Sequence, residues 1–187
     1  MEYFETIKCE DYEAFNLEFH RKRVANTIGL NLNLQEYIYP ISKELLRCKL
    51  IYDENGVLDI KYFPYKKRDI KSFKIINDDK IIYSKKALDR SAIDNLFNKK
   101  DGADEIIIIK NGLITDTSIA NIAIFYENNW ITPKTPLLFG TTRARLIDEK
   151  KIFEKDIDLK MLKSAKKIAL MNAMIDFDIL DNYSLFL

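Results

Sequence analysis

An α/β (α+β) fold in two domains, a small N-terminal one and a larger, sheet-rich C-terminal one, is what the sequence predicts. Three observations carry that expectation. Over the first sixty residues the apolar positions switch between a period of two and a period near 3.6, so strands and helices alternate. The stretch Phe63-Pro64-Tyr65-Lys66-Lys67-Arg68 then breaks the pattern, with a proline, three consecutive cations and no apolar period. Beyond it, Glu105 to Lys110, the turn Asn111-Gly112 and Leu113 to Thr115 form a strong two-residue hairpin signal that opens a meander. The expected organisation is a first domain over 1–63, a linker over 64–68 and a second domain over 69–187.

The first domain should begin with a strand at Tyr3 to Cys9 and a second at Phe15 to Phe19. Val24 and Ile28, four apart with Gly29 behind them, suggest a helix from His20. Leu34, Tyr37, Ile38, Ile41, Leu45 and Cys48 fit a second helix, kinked or restarted at Pro40. Cys48 to Asp53 and Val57 to Phe63 read as a hairpin around Glu54-Asn55-Gly56. In the second domain, strands are expected at Phe73 to Ile76 and Lys80 to Tyr83, then a helix from Arg90 capped by Asp89. Ala120 to Tyr126 and Trp130 to Thr132 continue the meander. Helices fit Thr142 to Glu149 and Leu159 to Lys163, with strands at Ile152 to Glu154, Ile168 to Leu170 and near Ile179.

Composition narrows the function. Thirty Lys and Arg against 29 Asp and Glu leave a net charge of +1, so neither nucleic acid nor an anionic membrane is an expected partner. Two cysteines, Cys9 and Cys48, cannot build a disulfide framework and are expected as small core residues. The first residues lack a basic segment followed by an apolar one, and no apolar run nears the ~20 residues of a membrane span, so the cytoplasm is the expected compartment. One histidine, His20, excludes a multi-histidine metal site, and no metal is expected. The chemistry should then run on lysine, carboxylates or a cofactor.

Three segments could carry it. Phe139-Gly140-Thr141-Thr142-Arg143 runs through glycine into a helix, whose unpaired N–H groups and hydroxyls suit an anionic phosphate, although threonines there can equally be plain caps. Tyr83-Ser84-Lys85-Lys86 places two lysines just before a helix. One of them, partly dehydrated beside a phosphate-bearing cofactor, could lose its proton near neutral pH and act as a nucleophile, whereas most lysines are solvated surface charges. If the strand persists to Lys86, only one of the pair can point inward. Asp116, at a bend after a hairpin strand, is either a buried acid needing a cation or a turn residue capping its own backbone.

Taken in order, Lys86-x-x-Asp89-Arg90, Asp104-Glu105, Asn111-Gly112, Thr115-Asp116-x-x-x-x-Asn121, Trp130-Ile131-Thr132-Pro133 and Leu138-x-Gly140-x-Thr142-Arg143 resemble the class IV aminotransferase family. Phe4-Glu5-Thr6-Ile7-Lys8 and His20-x-x-Arg23 resemble it too, so the likeness spans residues 4 to about 174. The family comprises pyridoxal-phosphate enzymes of fold type IV: branched-chain aminotransferases, D-amino-acid aminotransferases and 4-amino-4-deoxychorismate lyases.

The resemblance implies pyridoxal 5'-phosphate as cofactor and Lys86, four residues before Arg90, as the catalytic lysine that holds it, with Lys85 as the competing position. It makes Arg23 the arginine on the cofactor phosphate, Thr141 and Thr142 the donors completing that site, and Asp116 the acid facing the pyridine nitrogen, with Asn121 and, near the phosphate, Asn172 as further cofactor-binding positions. Aspartate stands where the family usually has glutamate, roughly 1.5 Å shorter in reach. The chain is also short for the family, and longer members use extra N-terminal sequence in the substrate pocket. The implied activity is lyase cleavage of aminodeoxychorismate or, alternatively, transamination of branched-chain or D-amino acids, in a homodimer acting on a small amino substrate. A protein that binds a phosphorylated ligand without catalysis is the remaining alternative.

Overall fold

The computed structural model describes all 187 residues and resolves them into two compact units. The first comprises Met1–Lys67 together with Lys85–Asp89, and the second Arg68–Ser84 together with Arg90–Leu187. None of the helices is long and apolar enough to cross a membrane.

In the first unit, β1 (Tyr3–Glu10), β2 (Glu13–Ala14), β3 (Leu46–Asp53) and β4 (Gly56–Pro64) form an antiparallel sheet in the order β2-β1-β3-β4. Period-two alternation sends Tyr3, Glu5, Ile7 and Cys9 to one face of β1, and all four are buried. The helix α1 (Leu17–Ile28) covers that face, and Val24, Leu34 and Leu50 complete the core with Tyr3 and Ile7. Both cysteines are buried and unpaired, as expected of small core residues.

Two local expectations fail here. Residues 17–19 belong to α1 rather than to a strand. The expected second helix is reduced to a 3-10 turn, Leu34–Glu36, because Tyr37 and Ile41 of its apolar set lie exposed, Ile41 at 70%. Leu46, Cys48, Leu50 and Tyr52 instead alternate into the core as β3, so burial with period two overrides a helical spacing that was incidental.

The segment Lys85–Asp89, which lies beyond the expected linker in sequence, belongs to this first unit. The Phe4 N–H donates to the Lys86 carbonyl at 3.0 Å, Tyr3 bridges Ala87, and the Leu88 N–H donates to the Glu2 carbonyl at 2.9 Å. Lys86 to Leu88 therefore extends the sheet along β1 on the edge that β2 occupies further on.

The second unit is sheet-rich. Its strands are β5 (Ser72–Asn77), β6 (Glu105–Lys110), β7 (Leu113–Thr117), β8 (Asn121–Tyr126), β9 (Asn129–Pro133), β10 (Phe153–Lys155), β11 (Ile168–Asn172), β12 (Asp176–Leu180) and β13 (Ser184–Phe186). The order is β10-β9-β8-β7-β6-β5-β13, with β11 on β8 and β12 on β11. Ile106 to Ile109 of β6 are buried on both faces, which explains why this strand is an unbroken apolar run. The Asn111-Gly112 turn forms as expected, with both residues left-handed at φ 52° and 77°.

The helices α2 (Ser91–Phe97), α3 (Thr141–Asp148) and α4 (Leu159–Ser164) lie close to the expected spans. Asp89 is not the cap of α2, a position that falls to Arg90 with no side-chain cap bond. No strand forms over Lys80 to Tyr83, because the Asp78 carboxylate accepts the Lys80 and Ile81 N–H groups and turns the chain there.

Candidate active site

In the first unit the chemistry gathers around Glu5. Its position on the inward face of β1 buries a carboxylate completely, and such a group needs a cation. Arg23 and His20, three apart on α1, supply the answer from one helix face. Arg23 Nε donates to Glu5 Oε1 at 2.9 Å and Arg23 Nη2 to Glu5 Oε2, while His20 Nδ1 lies 2.5 Å from Oε2. Burial raises the Glu5 pKa, but the Arg23 guanidinium and the His20 hydrogen bond outweigh it and hold the group at about 2. Burial depresses the basicity of His20, so a neutral ring donating from Nδ1 fits the ionised acid. Glu5 thus engages one edge of the guanidinium and leaves the Nη1 side turned away from that contact.

The two lysines are told apart by their surroundings. Lys85 Nζ donates to the Thr27 carbonyl at 2.7 Å, at the C-terminal end of α1, where a cation is favoured. Lys86, stitched to β1 through its backbone, carries its ammonium 4.6 Å from the centre of the Phe4 ring. Its charge is also among those that depress His20.

In the second unit, Asp116 and Asn121 face each other across β7 and β8, joined by a tight turn in which the Thr117 N–H bonds the Ala120 carbonyl at 2.9 Å. Asn121 Nδ2 donates to Asp116 Oδ1 at 2.6 Å and to the Leu138 carbonyl at 2.8 Å; the Leu138 N–H donates to Asp116 Oδ2 at 2.8 Å. One residue of the loop before α3, Leu138, is therefore held through both its N–H and its carbonyl. Burial pushes the Asp116 pKa up to about 6, against the pull of the Leu138 N–H, the Asn121 amide and the Arg143 charge. A side chain at Gly140 would put its Cβ 2.0 Å from Asn121 Oδ1, so glycine there is demanded by space.

Gly140 contributes no side-chain cap to α3, and Thr141 and Thr142 behind it are buried. Thr142 Oγ1 is buried with no hydrogen-bond partner in the protein. An orphaned hydroxyl beside the uncapped first turn of a helix is the donor set that a phosphate completes, so these residues fit the cofactor phosphate. Asn172 uses its amide within the protein: Nδ2 donates to the Ile119 carbonyl at 3.2 Å, and Oδ1 accepts from the Met174 and Ile175 N–H groups.

Sequence reasoning assigned no role to Glu5, Glu105 or Arg90. Glu105 is fully buried, accepts the Ser118 N–H at 3.2 Å and meets Arg68 at its rim, while Arg90 donates to the Ser118 carbonyl at 2.9 Å. Both therefore brace the turn that follows Asp116. The available signal was an acid at an inward position of a strand whose neighbours are apolar.

A model of the amino-transferase class IV family matches residues 82–177. An uncharacterized protein of Haemophilus influenzae is 35% identical over 182 residues, which cover 91% of this chain and 96% of that one. The solved structure of a Haemophilus somnus protein, provisionally named 4-amino-4-deoxychorismate lyase, is similar at a TM-score of 0.84 and 33% identity, over 92% of this chain and 96% of that one. A hypothetical aminotransferase of Mycobacterium tuberculosis in its PLP-bound form reaches a TM-score of 0.82 over 98% of this chain and 81% of that one; at 17% identity the likeness is one of fold. The short length is thus shared with the two Haemophilus proteins.

Proposed function

The chain belongs to the class IV aminotransferase family, of fold type IV, and from that premise we propose that it is a pyridoxal-phosphate-dependent 4-amino-4-deoxychorismate lyase that releases pyruvate and 4-aminobenzoate. The observation that carries the cofactor part is the partnerless buried hydroxyl of Thr142 at the start of α3. The lyase part is supported by the name of the Haemophilus somnus relative, which is equally short.

Arg23, whose guanidinium Glu5 keeps in place, and Thr141 and Thr142 are the residues that would bind the cofactor phosphate. Asp116 is the acid that would serve the pyridine nitrogen; with a pKa near 6 it is mostly ionised at neutral pH and would favour a protonated ring. Asn121 acts through Asp116 and the Leu138 peptide, and Asn172 supports the turn at Ile119. The bound cofactor supplies an electron sink at the carbon bearing the amine. Lys86 Nζ is the attachment point and then the proton carrier: it takes the proton from that carbon and returns it to the methylene carbon of the departing enolpyruvyl group as the ether C–O bond breaks. The products are an aromatic amine and pyruvate, and no proton is left over. The active species is a homodimer.

Purified protein given aminodeoxychorismate should release 4-aminobenzoate. Amino exchange between leucine and 2-oxoglutarate without aromatic product would instead make it an aminotransferase. Borohydride treatment of the cofactor-loaded protein should label Lys86; a colourless protein that takes up no pyridoxal phosphate overturns the cofactor assignment. Light scattering at the monomer mass would exclude the dimer.

A further inference from the structure

The sheet of the first unit has a second face, opposite the one that packs under α1, and it carries two pairs of facing cations. Lys8 on β1 stands directly opposite Arg47 on β3, and Lys49 on β3 directly opposite Lys61 on β4. Like charges in directly opposed positions destabilise a sheet, so two such pairs side by side need a reason. The outer members are neutralised within the chain: Lys8 pairs with Glu10 at 2.6 Å and Lys61 with Asp59 at 2.7 Å. The two inner members are not. Arg47 meets only the Phe63 ring, at 5.1 Å, and Lys49 only the Phe4 ring, at 5.4 Å; neither makes an ion pair, and Asp59, whose carboxyl feels the Lys49 charge, is engaged by Lys61.

Phe4 ties this face to the candidate catalytic lysine. Lys86 Nζ is 4.6 Å and Lys49 Nζ 5.4 Å from the centre of the same ring, so the two nitrogens are at most 10.0 Å apart. Arg47 and Lys49 are two positions apart on one strand and point the same way, about 7 Å from each other along the chain.

We propose that Arg47 and Lys49 receive carboxylates that the substrate carries several ångströms from its reacting amine, so that the site selects dianionic substrates. The inference rests on the lyase reading for what reacts at Lys86. Aminodeoxychorismate has this form, with a carboxylate on the ring carbon across from the amine and another on the enolpyruvyl group. An apolar α-amino acid carries its one carboxylate on the carbon that bears the amine and leaves both cations unmatched. The aromatic rings beside the cations hold them in place and lower their hydration, which strengthens a charge contact at a partly exposed site.

Equilibrium binding of isophthalate, a dianion, and benzoate, a monoanion of the same ring, tests this on the cofactor-loaded protein by calorimetry or NMR titration. Isophthalate should bind about tenfold more tightly, with a difference that shrinks as salt is added. In Arg47→Gln/Lys49→Gln the preference should fall to about onefold. The same variant should melt no lower than the wild type, because each substitution removes half of a repelling pair; a variant that fails to fold is replaced by Lys49→Gln alone, read by the slope of affinity against salt. An unchanged preference in the variants, or equal affinity for both probes in the wild type, overturns the proposal. Cofactor uptake, followed by its visible absorbance, separates this from the lyase reading: protein that takes up no cofactor yet keeps the dianion preference removes that reading and supports the anion site.

Discussion

Two carboxylates are buried in this protein, Glu5 in the first unit and Asp116 in the second, and they are stabilised by opposite means. Glu5 is surrounded by charge: a guanidinium donates two hydrogen bonds to it and an imidazole a third, and its pKa falls to about 2. Asp116 is surrounded by dipoles, an amide side chain and a peptide N–H, with Arg143 acting only at longer range, and its pKa rises to about 6. Burial pushes both upward. A full opposite charge in contact reverses that push, and neutral donors only reduce it. Glu5 is accordingly a fixed anchor for Arg23, whereas Asp116 is poised to become more acidic when a cation reaches it, as a protonated pyridine ring would.

Replacing the anchor should have the largest effect. Glu5→Gln leaves Arg23 without its buried counter-charge and should cost about 3–5 kcal/mol of unfolding free energy, measured in urea. A loss under about 1 kcal/mol would mean that Arg23 is held by something else.

The two acids should also respond to pH with opposite slopes. The folded pKa of Asp116 lies above the unfolded value, so its contribution is fully present below about 4 and is lost as pH rises through about 6. Glu5 is the reverse: its contribution is present above about 4.5 and is lost as pH falls toward 2. Between pH 7 and 4.5 the wild type should therefore gain on the order of 2 kcal/mol relative to Asp116→Asn. Parallel pH profiles for the two proteins would refute a raised pKa at Asp116.

A smaller change tests the dipoles around Asp116. Gly140→Ala forces Asn121 from its contact and should cost about 1–2 kcal/mol, lowering the melting temperature and loosening the Leu138 peptide, seen as faster amide exchange. The smallest effect belongs to Lys85→Ala, which removes a cation from the end of α1 and should cost about 0.3–1 kcal/mol. Borohydride should still label Lys86 in this variant, and a lost label would transfer the nucleophile's role to Lys85.

Legibility in the sequence followed the strength of local signals. The strands β6 and β7 and the turn between them were readable because an apolar run and Asn111-Gly112 allow few alternatives. The helix expected over Leu34 to Cys48 was misread, since apolar residues three and four apart also arise where an irregular loop meets a strand, and only burial tells the two apart. In the candidate site, motif order pointed to Lys86, Arg23, Asp116 and the two threonines. It was silent on Glu5, because an acid in a strand carries no mark of being buried until a helix is laid over it.

By itself the sequence determined the family and the alternation that puts Glu5 on one face of β1 and Lys8 on the other, because these depend on residue order and on the period of two. Tertiary structure alone decided which charges meet. Only folding brings Arg23 and His20 onto Glu5, sends Lys85 to the end of α1 while Lys86 joins β1, and sets Lys49 and Lys86 over one ring. Charge interactions depend on distance and on the loss of water, and neither is written along the chain.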